Sequence, residues 1–264
     1  MATRDMSSWE TAIGHVISND DDEEVVVRGE RLSDLIGQVS FSEMMYLMLV
    51  GRRPTTAQVH VLDALLVASM EHGIAPPSMI SRCFASYGTS IQAAVAGGIL
   101  AFGDRMGGLG EQLARLMATR LKALGDDPQS LDSEVLRRDA QALVADAQAN
   151  GERIPGFGIP LHGADPRAPA VLATAREHGI YGAYCSYAQM LEQALADARG
   201  GRPVPMNVDG VSACVGLDLG FDWRATRLFL LTPRSVSMGA HFLEEQSQDT
   251  TWRHIPGRQI SPAT

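Results

Sequence analysis

Apolar residues recur along most of the chain at helical spacing. Val59, Leu62, Leu65, Leu66 and Met70 fall on one broad face, which predicts a helix over about 57–71. Ser40 stands three residues ahead of Glu43, the spacing of a capping box, and opens the apolar stretch 44–50 that Gly51 and Pro54 close. Thr55 or Thr56 can cap the helix that follows. From Ile91 to Phe102 the residues are small or apolar almost all round, the pattern of a central helix packed closely through Ala and Gly. Amphipathic helices are predicted at 111–124 and 133–149, then from the turn at Pro169 to just before Gly179, and over 182–199. A short apolar helix runs to about residue 219, one capped by Asp222 reaches Leu231, and Pro233 starts the last, ending near Gln246. Only 24–30 reads as strand, and Pro76-Pro77 reads as a stiff turn. The pattern specifies an all-α fold with the small-residue helices at 91–102 and 210–219 innermost.

Composition narrows the function classes. A chain of 264 residues, 45% hydrophobic, can form one large domain or two small ones. Its net charge of −9 argues against nucleic acid or an anionic membrane surface as the main partner, although a local arginine cluster can still bind a polyanion. Cys83, Cys185 and Cys214 are odd in number and lack metal-ligand spacing, which suits a reducing compartment. The N-terminus has no signal-peptide apolar core, and the uncharged stretch 83–103 carries Tyr87, Thr89, Ser90 and Gln92, too polar for a membrane span. A soluble, cytoplasmic protein is expected, and no metal, because no histidine pair has metal-site spacing.

Candidate chemistry gathers around the Pro- and Gly-rich run from Ile154 to Arg167, where a stiff, bent backbone can offer amides and carbonyls to a ligand. Asp209 lies between a Pro-containing loop and an apolar helix. Desolvation there would raise its pKa and make it a usable general base; the plainer alternative is that it caps the helix. Arg105, Arg153, Arg167 and Arg234 all sit in or beside Gly/Pro turns, where guanidinium groups clamp carboxylates or phosphates, so an anionic small molecule is the expected ligand. His162 can act as acid, base or oxyanion donor, whereas His72 and His241 read as satisfied buried histidines. The Gly-rich turn 103–108 follows a helix and lacks Lys-Ser/Thr, which excludes a nucleotide P-loop.

Three segments in order carry a resemblance: Gly103-Asp104-Arg105-Met106-Gly107-Gly108, Ile154 through Arg167, and Asn207-Val208-Asp209-Gly210. Glu71-His72-Gly73 and Arg234-Ser235-Val236 with Ala240-His241 support it. Together they resemble the citrate synthase superfamily, especially its short citryl-CoA-lyase-like members and the C-terminal module of ATP-citrate lyase. The resemblance implies a large helical domain (1–148 and 226–264) and a small one (149–225) carrying the CoA loop and Asp209, assembled as a homodimer or a dimer of dimers. It implies chemistry that makes or cleaves a carbon–carbon bond between the α-carbon of an acyl-CoA and a keto-acid carbonyl. Asp209 then matches the base, with His162 a candidate to replace a lost donor. Arg167 and Arg234, with Arg105 and His72, fall at or near substrate-binding positions, and Arg153, Ile154, Gly156, Phe157 and Gly158 match the loop that binds CoA. Met106 and Ile159 stand where lyase-like relatives have histidine, which turns a polar wall apolar. Three alternatives follow: citryl-type chemistry with substitute donors, the same reaction class on a less polar substrate, or a catalytically silent paralogue that binds CoA or assembles with a partner.

Overall fold

The computed structural model describes residues 9–158, 165–248 and 251–261. The chain enters through a small antiparallel sheet. Strand β1 (Gly14–Ser18) pairs along its length with β2 (Glu23–Val27), and β3 (Glu30–Arg31) adds to β2 at Val26 and Val27. The turn between β2 and β3 uses positive φ at both Arg28 and Gly29, the hairpin geometry that matches strand twist. One strand was expected and three are present among the described residues. The residues of β1 are largely exposed, so it forms by pairing with β2 and leaves no alternating apolar signature.

Helices then follow in series: α1 (Leu32–Leu35), α2 (Phe41–Val50), α3 (Thr56–Met70), α4 (Pro76–Ser86), α5 (Ile91–Leu100) and α6 (Leu109–Leu124). They continue with α7 (Ser133–Ala149), α8 (Arg167–Glu177), α9 (Ala183–Asp197), α10 (Val208–Asp218) and α11 (Leu228–Ser247). The all-α fold class is therefore as the sequence specifies. Both early caps form complete capping boxes. Ser40 Oγ accepts from the Glu43 amide at 3.2 Å while the Glu43 carboxylate accepts from the Ser40 amide at 2.7 Å, and Thr55 and Gln58 repeat the exchange. No described helix is long and apolar enough to cross a membrane.

Two local expectations fail for a common reason, the tolerance of proline in a helix's opening turns. Pro76-Pro77 opens α4 instead of forming a separate turn, because a proline at the first helical position loses an amide that had no partner anyway. Pro233 lies inside α11, which starts at Leu228; Asp222 caps only a short 3₁₀ turn, Trp223–Ala225. Packing of α11 along α3, α4 and α5 overrides the missing hydrogen bond.

The core is organised on α10, where Gly210 through Gly216 are buried without a break and α6, α8 and α9 pack around them. Its C-terminal end is tied down by polar groups. The Asp218 carboxylate accepts from the amides of Gly182 and Cys185, each at 2.9 Å, joining the end of α10 to the start of α9. Buried Tyr46 donates its hydroxyl to the Leu219 carbonyl at 2.8 Å. Helix α5 was expected to be equally central and is not. Ala94 and Gly98 face inward, with a Cβ on Gly98 only 2.6 Å from Met238 Sδ, but Ile91 is 41% and Leu100 83% exposed. Its small residues serve close contact with α4 and α11 on one side, leaving the other face apolar and open.

Candidate active site

The N-termini of α6 and α10 meet the loop 153–158, and glycine makes the contact possible. A Cβ on Gly156 would stand 2.8 Å from Gly210 Cα, and one on Gly110 would stand 2.9 Å from the Asp209 carbonyl oxygen. Gly156 also has φ +86°, a conformation that favours glycine. The loop is bonded to residues 205–207 in strand-like fashion. The Gly158 amide donates to the Pro205 carbonyl at 2.7 Å and the Asn207 amide to the Gly156 carbonyl at 3.0 Å. Asn207 Nδ2 donates to the Gly158 carbonyl at 2.9 Å. Among the described residues, the main-chain groups of Arg153, Ile154 and Phe157 make no hydrogen bond and remain available.

The same Asn207 decides what Asp209 can do. Its Oδ1 accepts from the amides of Asp209 at 2.9 Å and Gly210 at 3.1 Å, so Asn207 is the N-cap of α10. Capping, the plainer job considered for Asp209, is already done. The half-buried Asp209 carboxyl instead lies by the α6 terminus, close enough to the Gly110 amide for that amide to lower its pKa. Burial pushes its pKa above the usual carboxylate range; that amide and the charge of Arg167 oppose the rise, and Asp165 adds to it.

Asp165, 2% exposed, fastens the turn before α8 to the start of α10. It accepts from Arg167 Nε at 2.8 Å and Nη2 at 2.7 Å, from the Arg167 amide at 3.0 Å and from the Val208 amide at 3.1 Å. Burial alone would raise the Asp165 pKa, but the hydrogen bonds and charge of Arg167, with the Val208 amide, hold it below the usual range. Arg167 is thereby aimed, and its Nη1 is left buried without a partner among the described residues. Arg234, 6% exposed on α11, has an unpartnered buried Nε as well. Burial lowers its pKa, the charge of Glu71 opposes that and the charge of Arg167 reinforces it, so these three groups share one electrostatic neighbourhood. An unmade hydrogen bond on a buried donor costs about 1–3 kcal/mol, so each of these two guanidinium groups favours an acceptor, and an anionic one suits both.

The other candidate residues divide. Met106 is half-buried in the turn before α6, its amide donating to the Gly103 carbonyl at 3.0 Å. It stands four residues ahead of Gly110, whose amide neighbours the Asp209 carboxyl. Arg227 holds that turn through Asp104 at 2.8 Å and Glu111 at 2.9 Å. Arg105 and Arg153 are exposed, and neither joins the Asp209 group through a hydrogen bond or ion pair among the described residues. His72 is half-buried directly after Glu71, and Ile154 is buried in the core. Ile159 and His162 lie outside the described residues. Asp165, Asn207, Gly110 and Glu71 were not among the candidates; Asp165 and Asn207 carried a local signal, being Asx residues just ahead of helix starts. Two open hollows, ≈ 380 and ≈ 480 Å³, run along α9 away from Asp209; the second includes Val204, which packs against Gly158.

The sequence profile of the citrate synthase C-terminal domain matches residues 48–255. A curated citrate synthase of Heyndrickxia coagulans is 22% identical over 231 residues, 86% of this chain and 58% of that protein, so the chain spans little more than half of that relative. Among solved structures, citryl-CoA lyase from Hydrogenobacter thermophilus is 30% identical, with a TM-score of 0.84, covering 97% of this chain and 94% of that one. ATP citrate lyase from Methanothrix soehngenii, solved with citrate and coenzyme A, matches at 20% identity and TM-score 0.76, covering 99% of this chain and 42% of that one.

Proposed function

Since the chain belongs to the citrate synthase C-terminal domain family, we propose that it makes or cleaves a carbon–carbon bond between the α-carbon of an acyl-CoA thioester and a carbonyl partner that carries a carboxylate. One observation carries the proposal: Asp209, a desolvated carboxyl, lies in the field of Arg167, which in turn neighbours Arg234, and each arginine keeps one buried nitrogen without an acceptor among the described residues. In the condensing direction Asp209 takes the α-proton of the thioester, and the enolate carbon attacks the carbonyl. In cleavage that bond breaks and the protonated Asp209 returns the proton to the enolate carbon. Arg167 and Arg234 hold the carboxylate end of the partner. The unbonded main-chain groups of Arg153 and Phe157, with the exposed Arg153 side chain beside them, suit the CoA adenosine and phosphates, and the site lies in the cleft between the large and small domains. Met106 in place of a histidine favours a carbonyl partner less polar than that of the lyase-like relatives. The three cysteines, all free, fit a cytoplasmic setting.

Calorimetry with CoA and with oxaloacetate, as a carboxylate probe, tests this directly. Arg234→Met is expected to weaken oxaloacetate binding about 10- to 100-fold, the worth of a charge-assisted hydrogen bond, while CoA binding is unchanged. Equal loss of both ligands, or of neither, contradicts the assignment. A second reading, a silent CoA-binding paralogue, is favoured by the nearby Gly110 amide, which opposes the rise in the Asp209 pKa. A carboxylate has room for about four donors, so one neighbouring amide leaves Asp209 able to take a proton.

For assembly we propose a homodimer, or a dimer of such dimers, formed through the open face of α5 and α11. Leu100, Val236 and Leu243 are 83%, 61% and 60% exposed on these two packed helices. Leu100→Glu combined with Val236→Glu is expected to give a folded monomer in sedimentation at micromolar concentration, against a dimer for the parent chain.

A further inference from the structure

We infer that His241 is a positioning residue that holds the Glu71 carboxylate away from Arg234, keeping the Arg234 guanidinium free for the ligand's carboxylate. The inference rests on the proposed carboxylate site and concerns how that site is kept open. Arg234, Ser237 and His241 lie at i, i+3 and i+7, one face of α11. Glu71 follows α3, and its side chain is 48% exposed. It is close enough to Arg234 for their charges to interact, yet no hydrogen bond joins them among the described residues.

The reason is that Glu71 is engaged elsewhere. Its Oε1 accepts from the His72 amide at 2.9 Å and the Gly73 amide at 2.6 Å, and lies 3.3 Å from His241 Nε2. Its Oε2 accepts from the Ser237 hydroxyl. Without His241 the carboxylate keeps the two amides and the neutral Ser237 hydroxyl; half-exposed and beside an unpartnered guanidinium, it would swing onto it, because a bidentate Arg–carboxylate pair is the stronger contact.

His241 is itself fixed from the far side. Arg82 Nη1 lies 3.1 Å from His241 Nδ1. Arginine has no acceptor, so Nδ1 must accept and the ring proton sits on Nε2, pointing at Glu71. Arg82, on α4, is locked by Glu245 at 2.7 Å and Glu244 at 2.5 Å, and Arg253 of the C-terminal segment grips Glu245 at 2.5 and 2.9 Å. A continuous chain of polar contacts thus runs from Arg253 to Glu71, and His241 is the link that faces the site.

The test uses the full-length chain with oxaloacetate and CoA as separate calorimetric probes. His241→Ala is expected to weaken oxaloacetate binding about tenfold, one charge-assisted contact's worth, with CoA binding unchanged. Adding Glu71→Gln to His241→Ala should restore oxaloacetate binding to within about twofold of the parent, since a neutral amide does not capture a guanidinium. His241→Gln, which can still accept from Arg82 and donate to Glu71, should also bind like the parent. Unaltered binding in His241→Ala, or no recovery in the double variant, overturns the inference. A ligand-free readout separates it from the proposed function: long-range ¹H–¹⁵N spectra of the parent should show His241 neutral with its proton on Nε2, and the Arg234 Nε–H signal should move in His241→Ala. A proton on Nδ1, or an unmoved Arg234 signal, overturns the inference even if oxaloacetate binds nowhere; the expected spectra with no oxaloacetate binding would instead remove the carboxylate assignment.

Discussion

Replacing Asp209 with Asn is expected to abolish turnover and to stabilise the protein. On the activity side, a positioned general base is worth roughly 10²–10⁴ in rate, so citryl-CoA cleavage or its reverse should fall by about that factor. CoA affinity should persist, because the loop 153–158 is held by Asn207 and Pro205 and not by the Asp209 side chain. On the stability side the sign follows from burial. Desolvation raises the Asp209 pKa above its ordinary 3.8, so the folded protein binds this proton more tightly than the unfolded chain does. Asp209 is then most favourable to folding below the unfolded pKa, and that stability is lost as pH rises through the folded value. As pH rises above the unfolded pKa the wild type carries a growing cost for its desolvated carboxyl, which Asn does not. Thermal unfolding at pH 7 should give Asp209→Asn a higher Tm than the parent, with the gap closing toward pH 4. A variant that is inactive and less stable at pH 7 would mean that Asp209 serves the fold; one that retains turnover would show that another group takes the proton.

The desolvation behind this expectation was partly visible in the sequence. The residues around Asp209, a proline-containing loop on one side and apolar helix on the other, announced a desolvated carboxylate. Nothing in the spacing decided between base and cap. The structure gives the cap to Asn207, two residues earlier, whose side chain bonds both the Asp209 and Gly210 amides. Asp, Asn and Ser compete for such positions on nearly equal terms, so the local pattern alone leaves the cap open.

Helix positions were legible wherever an apolar face repeated and a cap marked its start, as at Ser40 and Thr55. Depth was not. Helices α5 and α10 are both built of Ala, Gly and branched aliphatics, yet Gly210 through Gly216 are buried while Leu100 stands in the open. Composition reports that a helix can be closely packed and says nothing about how many of its sides are covered. The arginines behaved likewise. Arg167 was brought into the site by Asp165, two positions away, and Arg234 by a neighbourhood whose acidic member, Glu71, is far away in sequence. Arg105 and Arg153 occupy similar turns with no such counter-charge to orient them and remain exposed. A guanidinium in a Gly/Pro turn becomes part of a site only when something folds against it, and that contact is long-range.

The largest structural effect is expected where the loop 153–158 crosses α10. Gly156 and Gly210 touch through their backbones: a Cβ on Gly156 would meet Leu113 Cδ2 at 2.7 Å and Gly210 Cα at 2.8 Å, and a Cβ on Gly210 would meet Met206 Cγ at 2.6 Å and the Gly156 carbonyl oxygen. Backbone cannot move aside as a flexible side chain does, so either substitution must lift the loop and strain its bonds to Pro205 and Asn207. Overpacking a filled interior costs about 1–3 kcal/mol. Gly156→Ala adds a similar amount for a non-glycine residue at φ +86°. Gly156→Ala should therefore lose about 2–6 kcal/mol in urea unfolding, and Gly210→Ala about 1–3. Both should lose CoA binding in calorimetry more completely than any change at Arg234. Gly151→Ala separates the two causes: its φ is +67° but nothing lies within 4 Å of the added methyl, so it should pay only the backbone strain and bind CoA normally. If Gly210→Ala instead unfolds like the parent and binds CoA as well, the close crossing is not what shapes the loop. The residues that receive CoA would then have to be sought elsewhere, with the hollow beside Val204 the first place to look.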